Sequence, residues 1–571
     1  MTTLSERFRL CVPDEDAFFR SGFACAWFVL LTAALFGCLR TLGLDTISRA
    51  APCLGAAAAL YLVYHRNNFF FVLLLFACSL GASLLAAACF FDVSYDGSTY
   101  HQTAIAEISH FYSTFYGSYA DGYGTLTIFY PKLAWLYRSA FYTLTGNIHT
   151  GISINLMLIL SVFFIGLKLF RHYGQAGRLL FSLALACNPI AINQFFSGYV
   201  DGNLASFLAW AIAGYYALLT RCLNPRQSAL LLFTGLLGMA ALKFTGLIFA
   251  IIILFFYLAT LYLRFRQSPA TASERQSPSA SATTALYDTS KTAGHISGIG
   301  WKPIFVSAFM AFFLLFNPYI TNMLHGHHIF HPSMGKERDK QLLADQTRPE
   351  FYRLGHFTKI IISLFSQTST HHTQASTAYP SGKIPFTLYP EEISAIGEVD
   401  ARAGGWGPLF GGIFLITLIL FLCRFEHFKN QAPLLLLLLL LSVIAPTSWW
   451  ARFNPQMEIL VIFTLAAVAQ ISPARNLAAC CVLLLLCANS LIIFESVRRV
   501  YLQRNASFSM ITHQLQQQSA DNTLYLKKPL TVQIHFILDR LAIPYQFISA
   551  DDDRPDLQCS QWQNDTVCIK R

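Results

Sequence analysis

Two carboxylates and a histidine lie directly after the third long apolar run of the sequence. Residues 92–101 read DVSYDGSTYH, so Asp92 and Asp96 stand four positions apart. A carboxylate at a membrane surface can act as a general base, ligate a metal ion or remain a solvated loop residue. All three interpretations stay open for both residues. Tyr100 and His101 follow closely, and we expect them to contact a substrate.

Two aromatic, amphipathic segments come after this acidic stretch. Residues 103–116 (TAIAEISHFYSTFY) and 126–144 (LTIFYPKLAWLYRSAFYTL) are not apolar enough to span a bilayer. Such segments are typical of helices that lie in the membrane interface, with Tyr and Trp rings at the level of the headgroups. They would present Asp92 and Asp96 to a lipid headgroup. Lys132, on the second segment, could hold a lipid phosphate, although a snorkelling lysine would give the same pattern.

Two more polar stretches offer charged or metal-ligating side chains. DARAGGWGPLF (400–410) contains Asp400 and Arg402, which could contact a substrate or pair with each other. Its glycines permit a close approach of the backbone. An earlier stretch, 317–332, holds His325, His327, His328 and His331. These histidines have no partner carboxylate or cysteine at a spacing typical of zinc sites, so we expect a loop that contacts headgroups.

The composition indicates what kind of scaffold positions these residues. Of 571 residues, 54% are hydrophobic and only 12% are charged, and the mean hydropathy is +0.47. A soluble protein carries about twice that charged fraction, so most of this apolar surface must face lipid or other spanning helices. Basic cytoplasmic loops explain the net charge of +10 without nucleic-acid binding. The composition therefore predicts an all-α polytopic membrane protein.

About thirteen apolar runs approach the length that a span needs, which is roughly 20 residues. The stretch 228–263 is too long for one helix, and we expect a tight turn near Lys243 to divide it. The thirteen runs are 22–42, 51–65, 69–91, 150–170, 178–197, 203–220, 228–242, 244–263, 303–320, 407–423, 433–447, 456–471 and 476–494.

The distribution of basic residues predicts the orientation and the domain organisation. Lys and Arg are concentrated in alternate connections, which the positive-inside rule assigns to the cytoplasm. Three long polar segments, 92–149, 321–406 and 495–571, then share the opposite face. The domains would be a cytoplasmic N-terminus (1–21), a first transmembrane module (22–263), a disordered cytoplasmic linker (264–302), a second transmembrane module (303–494) and an extracytoplasmic C-terminal segment (495–571).

The C-terminal segment predicts a small α/β unit. Strands are expected near 523–526, 545–549 and 566–570, with a helix near 529–541. Cys559 and Cys568 stand in this polar region, whereas most of the other cysteines lie in apolar segments and behave as small hydrophobes. If this segment is extracytoplasmic, the two cysteines can form a disulfide.

The order of these features resembles the GT-C glycosyltransferases, which are polytopic enzymes that take a sugar from a polyprenyl-phosphate donor. Members include protein O-mannosyltransferases and lipid A aminoarabinose transferases. Their first outside loop carries two interfacial helices and begins with an acidic residue, a role that the resemblance gives to Asp96, with Asp92 as the alternative. YPKLAWL looks like the family's proline/lysine/tryptophan segment, which makes Lys132 a candidate for binding the donor phosphate. In the aminoarabinose transferases a glutamate precedes this lysine, whereas Pro131 stands here.

Three further stretches are similar to segments of that family. NQFFSGYVDGNLASFL points to Asp201, which would position the acceptor or help to ligate a divalent ion. ALKFTGL points to Lys243, and SWWARFNPQ points to Arg452, both as contacts to phosphate or sugar. Arg402, Tyr100 and His101 are grouped with them as substrate-binding candidates. The resemblance is closer over residues 1–250 than over the rest of the chain.

The resemblance implies an inverting transfer of a sugar from a polyprenyl-phosphate donor to a glycan, lipid or protein acceptor. The expected partners are this donor, the acceptor and the bilayer, in a bacterial inner membrane with the active site on the periplasmic face. No cofactor is assigned with certainty, and a divalent metal is the one candidate. A transporter or flippase of lipid-linked sugars is the alternative, and it predicts ionisable residues near the middle of spans. An oligosaccharide polymerase or ligase with a diphosphate-linked donor is the other.

Overall fold

A computed structural model shows a protein that is 73% helical, with few strands. The structure describes residues 15–116, 125–267, 301–336, 349–370, 380–423, 425–445, 447–519, 524–527, 538, 543–549, 554, 556–562 and 565–570. The predicted linker 264–302 therefore lies almost entirely outside the described residues, as does the helix expected near 529–541.

The helices before residue 268 follow the predicted apolar runs. The longer ones are α1 (Glu15–Thr41), α2 (Ala51–Leu62), α3 (Phe69–Cys89), α4 (Gln102–His110), α5 (Leu133–Thr145), α6 (Ser153–Leu169), α7 (Gly174–Ala186), α8 (Asp201–Thr220), α9 (Pro225–Leu242) and α10 (Phe244–Gln267). Short α-helical, π-helical or 3₁₀ turns occupy Asp45–Ser48, Gly97–His101, Thr125–Phe129, Thr150–Ile152, Arg171–Tyr173 and Pro189–Asn193.

The helices after residue 300 complete the membrane part. The longer ones are α11 (Trp301–Leu315), α12 (His356–Leu364), α13 (Phe410–Leu422), α14 (Ala432–Ile444), α15 (Gln456–Ala469) and α16 (Pro473–Ser519). Short turns occupy Phe316–Ile320, Thr321–Leu324, Pro349–Tyr352, Pro390–Ile396, Phe425–Phe428 and Ala451–Phe453.

Each of the thirteen apolar runs overlaps one of these helices, and the prediction of a helical membrane protein is confirmed. Within the described residues, seven helical stretches are long and apolar enough to cross a bilayer. They are Glu15–Thr41, Phe69–Cys89, Thr150–Leu169, Asp201–Thr220, Phe244–Arg266, Phe305–Leu324 and Pro473–Met510. The count of thirteen spans stays a prediction, because α2, α13, α14 and α15 are shorter apolar helices.

The segment expected to form a second interfacial helix, 126–144, is broken. The turn Thr125–Phe129 ends before Pro131, and α5 starts anew at Leu133, because proline has no N–H to donate inside a helix. α5 is buried from Leu133 to Phe141 and packs against α1 and α4. The first expected interfacial helix is also shorter than 103–116, since α4 ends at His110.

Two other boundaries differ from the sequence prediction. The run 178–197 is two helices, because α7 ends at Ala186 and Pro189 opens a separate short turn. The last run does not end at residue 494, since α16 continues to Ser519. A long helix thus replaces the first part of the polar segment expected at 495–571.

The described tail residues form a four-stranded sheet. The strands are β1 (Leu524–Lys527), β2 (Tyr545–Ile548), β3 (Leu557–Trp562) and β4 (Asp565–Lys570), in the order β2-β1-β4-β3. β1 runs parallel to β2 and antiparallel to β4. The three expected strands are confirmed, and β3 is additional. Cys559 and Cys568 stand opposite each other on β3 and β4 and form a disulfide, which the sequence alone had left open.

Close packing of α8 against α9 brings distant residues to one end of the helix bundle. A Cβ on Gly235 would collide with the backbone of Ala211, so glycine lets the two helices approach. α8 begins at Asp201 and α9 ends at Leu242, one residue before Lys243. Since the two helices are antiparallel neighbours, the carboxylate at the start of one meets the ammonium group after the other.

Candidate functional site

Arg452 is the centre of a cluster of charged side chains drawn from separate parts of the chain. Its Nη1 lies 2.8 Å from Oδ1 of Asp400 and 3.6 Å from Oδ2 of Asp96. Its Nε lies 3.8 Å from Oδ2 of Asp201. The Arg452 side chain is 14% exposed and the three carboxylates are 4–17% exposed, so the cluster is largely enclosed but still reached by solvent.

Lys243 adds a second cation on the Asp201 side of this cluster. Its Nζ forms an ion pair with Oδ1 of Asp201, whose other oxygen accepts a 3.3 Å hydrogen bond from Nε2 of Gln194. The ammonium group also stands over the Phe453 ring, 4.2 Å from its centroid. Asp201 is therefore held from several directions, which suits a residue that positions other groups.

Arg402 lies on the opposite side of Asp400. Its Nη2 is 3.7 Å from Oδ2 of Asp400, and its guanidinium stands 4.2 Å from the centre of the Trp450 ring. The Arg452 guanidinium lies over Phe453 and Tyr199, at 4.6 Å and 5.1 Å. Each guanidinium group therefore contacts both a carboxylate and the face of an aromatic ring.

Backbone hydrogen bonds tie the Arg402 and Arg452 segments together. Ala451 N donates to Arg402 O at 2.9 Å, and Arg452 N donates to Ala401 O at 3.3 Å. Arg402 N in turn donates to Ser369 O at 2.8 Å. These backbone hydrogen bonds fix the main chain that carries both arginines.

The close packing of these segments requires a glycine at position 404. Gly404 has φ +67°, and a Cβ there would come within 2.7 Å of the Gln367 backbone. Only glycine combines that conformation with so close an approach. The glycines of the stretch 400–410 therefore serve to fit the backbone, as the sequence indicated.

Asp96 lies just before the π-helical turn Gly97–His101, outside the apolar spans. Its backbone N–H donates to the Tyr199 hydroxyl at 3.4 Å. Burial raises the pKa of Asp96, the negative charges of Asp400 and Asp201 add to this, and Arg452 opposes it. A carboxylate with a raised pKa is better matched to accepting a proton near neutral pH.

Tyr100 and His101 line the same region. Burial lowers the pKa of His101 well below its usual range, and the positive charges of Arg138 and Arg452 lower it further. Nδ1 of this imidazole accepts a 2.7 Å hydrogen bond from Nε1 of Trp135. Burial and the negative charge of Asp96 raise the pKa of Tyr100. Both side chains are therefore neutral, polar groups, Tyr100 near Asp96 and His101 near Arg452.

Asp92, the alternative to Asp96, is used to hold the backbone. Its carboxylate accepts hydrogen bonds from Gly198 N at 2.6 Å and from Ser94 Oγ at 2.6 Å. Arg138 secures the same loop by donating to Gly198 O and Ser197 O. Burial raises the pKa of Asp92, while Ser94 and Arg138 lower it. Asp92 thus joins the loop that follows α3 to the segment that precedes Asp201.

Lys132 is held by partners other than the Arg452 cluster. Its Nζ donates to Ile128 O at 2.7 Å, Tyr130 O at 2.9 Å and Asn317 Oδ1 at 2.8 Å. The side chain is fully buried. Burial lowers the pKa of Lys132 to about 7, although the charge of Glu107 opposes this. The structure therefore places Lys132 as a link between the start of α5 and the turn after α11.

The histidine-rich stretch contributes stacked rings. The His327 and His331 rings lie 4.4 Å apart and nearly parallel, and both meet the Phe129 ring edge-on. Among the described residues, no three His, Cys, Asp or Glu side chains are close enough to share a metal ion.

The sequence predicted that Asp96, Lys132, Asp201, Lys243 and Arg452 share one face. The structure brings Asp96, Asp201, Lys243 and Arg452 together, whereas Lys132 is bonded to other groups. Sequence reasoning left Asp400 as a minor candidate, although this carboxylate has the shortest contact with Arg452. It missed Tyr199 and Phe453, whose rings flank the cations. The YVDGN and ARFNP sequences contain both aromatic residues next to the charged ones and could have indicated them.

No protein-family model, no curated protein and no solved structure matches this chain.

Proposed function

We propose that this chain is a membrane glycosyltransferase that moves a sugar from a polyprenyl-phosphate donor to an extracytoplasmic acceptor, with inversion. The observation that carries the proposal is the enclosed cluster in which Arg452 meets Asp96, Asp201 and Asp400. It combines a carboxylate of raised pKa with cations of the kind that bind phosphate. Asp201 begins one helix that can span a bilayer, and Lys243 directly precedes another.

The chemistry divides between one base and a group of cations. Asp96 takes the proton from the acceptor hydroxyl while the oxygen of that hydroxyl attacks the anomeric carbon of the sugar. The bond between the anomeric carbon and the phosphate oxygen breaks. The bonding pair leaves with the phosphate. Lys243 and Arg452 stabilise the negative charge that develops on it. Asp201 orients these two cations.

Lys132 has a positioning role in this proposal. Its three hydrogen bonds fix the start of α5 against Asn317, and α5 carries Trp135, which donates a hydrogen bond to His101. Arg402 would also contact the phosphate in this proposal, because it faces the second carboxylate oxygen of Asp400.

The disulfide of the tail supports the proposed sidedness. Structural disulfides persist in oxidising compartments such as the periplasm, and Cys559 and Cys568 are bonded. We therefore propose that the tail and the charged cluster face the periplasm of a bacterial inner membrane. This agrees with the orientation that the basic loops predict.

The test is sugar transfer in membranes that contain the chain and a polyprenyl-phosphate donor labelled in its sugar. Wild type should move label to a product that mass spectrometry identifies, and Asp96→Asn and Arg452→Lys should lower transfer by about 10²-fold or more. Asp45→Asn, which alters an ion pair with Arg40 and leaves the cluster intact, is the matched control. Donor that crosses the bilayer with its sugar–phosphate bond intact would support a flippase and overturn the proposal.

A further inference from the structure

The Asp400 carboxylate occupies the space between two guanidinium groups. One oxygen lies 2.8 Å from Nη1 of Arg452 and the other lies 3.7 Å from Nη2 of Arg402. The three side chains are 5–14% exposed. An anion bridged by two arginines is the arrangement that also binds phosphate groups.

Within the part of the chain that the structure describes, the ion-paired side chains of the cluster balance in charge without a substrate. Three carboxylates (Asp96, Asp201 and Asp400) face three cations (Lys243, Arg402 and Arg452). A phosphodiester brings one more negative charge into this enclosure. An uncompensated charge in a largely buried site is strongly unfavourable, and the departure of one carboxylate would restore the balance when the phosphate binds.

Asp400 is the carboxylate whose departure leaves the other parts of the site unchanged. Asp201 is held by Lys243 and Gln194 at the start of α8, and Asp96 is needed as the base. The backbone after Asp400 is anchored through Ala401 and Arg402. Rotation of the Asp400 side chain therefore vacates the site while both arginines stay in place.

We propose that Asp400 is a resident competitor that occupies the phosphate position until the donor displaces it. This inference rests on the proposed function, because it takes the phosphate of a prenyl-linked donor as the displacing group. With Asp400 rotated away, three cations face two carboxylates, and the surplus of one positive charge matches the single charge of a phosphodiester. Asp400 is then a specificity residue, since it sets the charge that the site accepts.

The same competition acts after transfer. The departing monophosphate carries close to two negative charges at neutral pH, because its second pKa is about 6. It would otherwise be held more tightly than the donor by Arg402 and Arg452. Competition from the Asp400 carboxylate for the position between the two arginines weakens the binding of this product and so favours its release.

The experiment measures binding of farnesyl phosphate and of inorganic phosphate to the purified full chain in detergent. Asp400→Asn should bind farnesyl phosphate about tenfold more tightly or better, because the competitor is removed. Adding Arg402→Gln to that variant should abolish the gain. Glu495→Gln, which releases Arg498 and Arg499 on α16, is the matched control and should change nothing. Affinity for both phosphates that is unchanged or weaker in Asp400→Asn overturns the proposal.

A second measurement uses the wild-type chain and so does not depend on the folding of a variant. A water-soluble carbodiimide labels accessible carboxyl groups, and digestion with mass spectrometry reports each site. Farnesyl phosphate should increase labelling of Asp400, since displacement exposes it, whereas decreased labelling would contradict displacement. The two proposals also fail separately. Sugar transfer without the binding gain removes only the role of Asp400, whereas the gain without sugar transfer removes only the transferase.

Discussion

Replacement of Arg452 with glutamine should lower the free energy of unfolding by about 3–5 kcal/mol, the usual cost of removing one partner from a buried ion pair. The attraction that is lost is large. With an effective dielectric constant of 20, the contacts at 2.8 Å, 3.6 Å and 3.8 Å correspond to about 6, 5 and 4 kcal/mol before desolvation is subtracted. Burial of the four groups offsets most of this sum, and the smaller net value remains.

A double-mutant cycle isolates the Arg452–Asp400 contact. Asp400→Asn removes the closest carboxylate, so the loss of Arg452 should be less harmful in that background, with a coupling free energy of about 1–3 kcal/mol. Reversible unfolding in mixed micelles with added SDS, followed by Trp fluorescence, gives the four free energies. Glu495→Gln provides the comparison cycle, because its partners are Arg498 and Arg499 on α16, and its effect should add to that of Arg452→Gln within about 0.5 kcal/mol. The same additivity for Asp400→Asn would refute the geometry of the cluster.

Three other predictions concern Asp96, Lys132 and the disulfide of the tail. The rate of sugar transfer should fall as the pH falls through the raised pKa of Asp96, so the acid limb of the kcat/KM profile should lie above the ordinary Asp pKa of about 4; a limb at or below that value would contradict the assignment. Lys132 has a pKa of about 7 when folded and about 10.4 when unfolded, so the unfolded chain binds more protons between these values and stability should rise with pH across that window. Lys132→Met should lower stability, because buried acceptors lose their donor, and should remove this slope in unfolding measured at pH 7 to 9. Replacement of Cys559 and Cys568 with serine should destabilise the tail sheet by about 2–3 kcal/mol and speed its proteolysis; unchanged proteolysis would assign the stability of the sheet to other contacts.

The helices could be predicted from the sequence because their physical cause is local. A run of apolar residues must form a helix in a bilayer, since no water is present to satisfy its backbone groups. The same reasoning placed Asp201 and Lys243 on one face, because the ends of consecutive antiparallel helices lie together, but only the structure shows that they form an ion pair. The boundaries at Pro131 and Pro189 were missed, although proline already marks both in the sequence.

The contact between Asp400 and Arg452 could not be predicted, because no local pattern determines it. It depends on the path of a loop whose backbone bonds join Ser369, Arg402 and Ala451. For Lys132 the sequence suggested a function, but it could not show the partners of the side chain. Its position in the sequence suggested a ligand for phosphate, but only the fold shows that three oxygens accept its hydrogen bonds.

The length of α16 has a mechanical consequence for the two loops that carry the acids. A helix of 47 residues is about 70 Å long, more than twice the roughly 30 Å of the hydrocarbon layer. Arg504 pairs with Glu398, and Asn505 bonds both backbone groups of Phe91. Adjacent positions of one rod therefore hold the two loops, about 1.5 Å apart along its axis and 100° apart around it. The helix therefore fixes the distance between the points at which the two loops are attached to it, even if the other residues of the loops move.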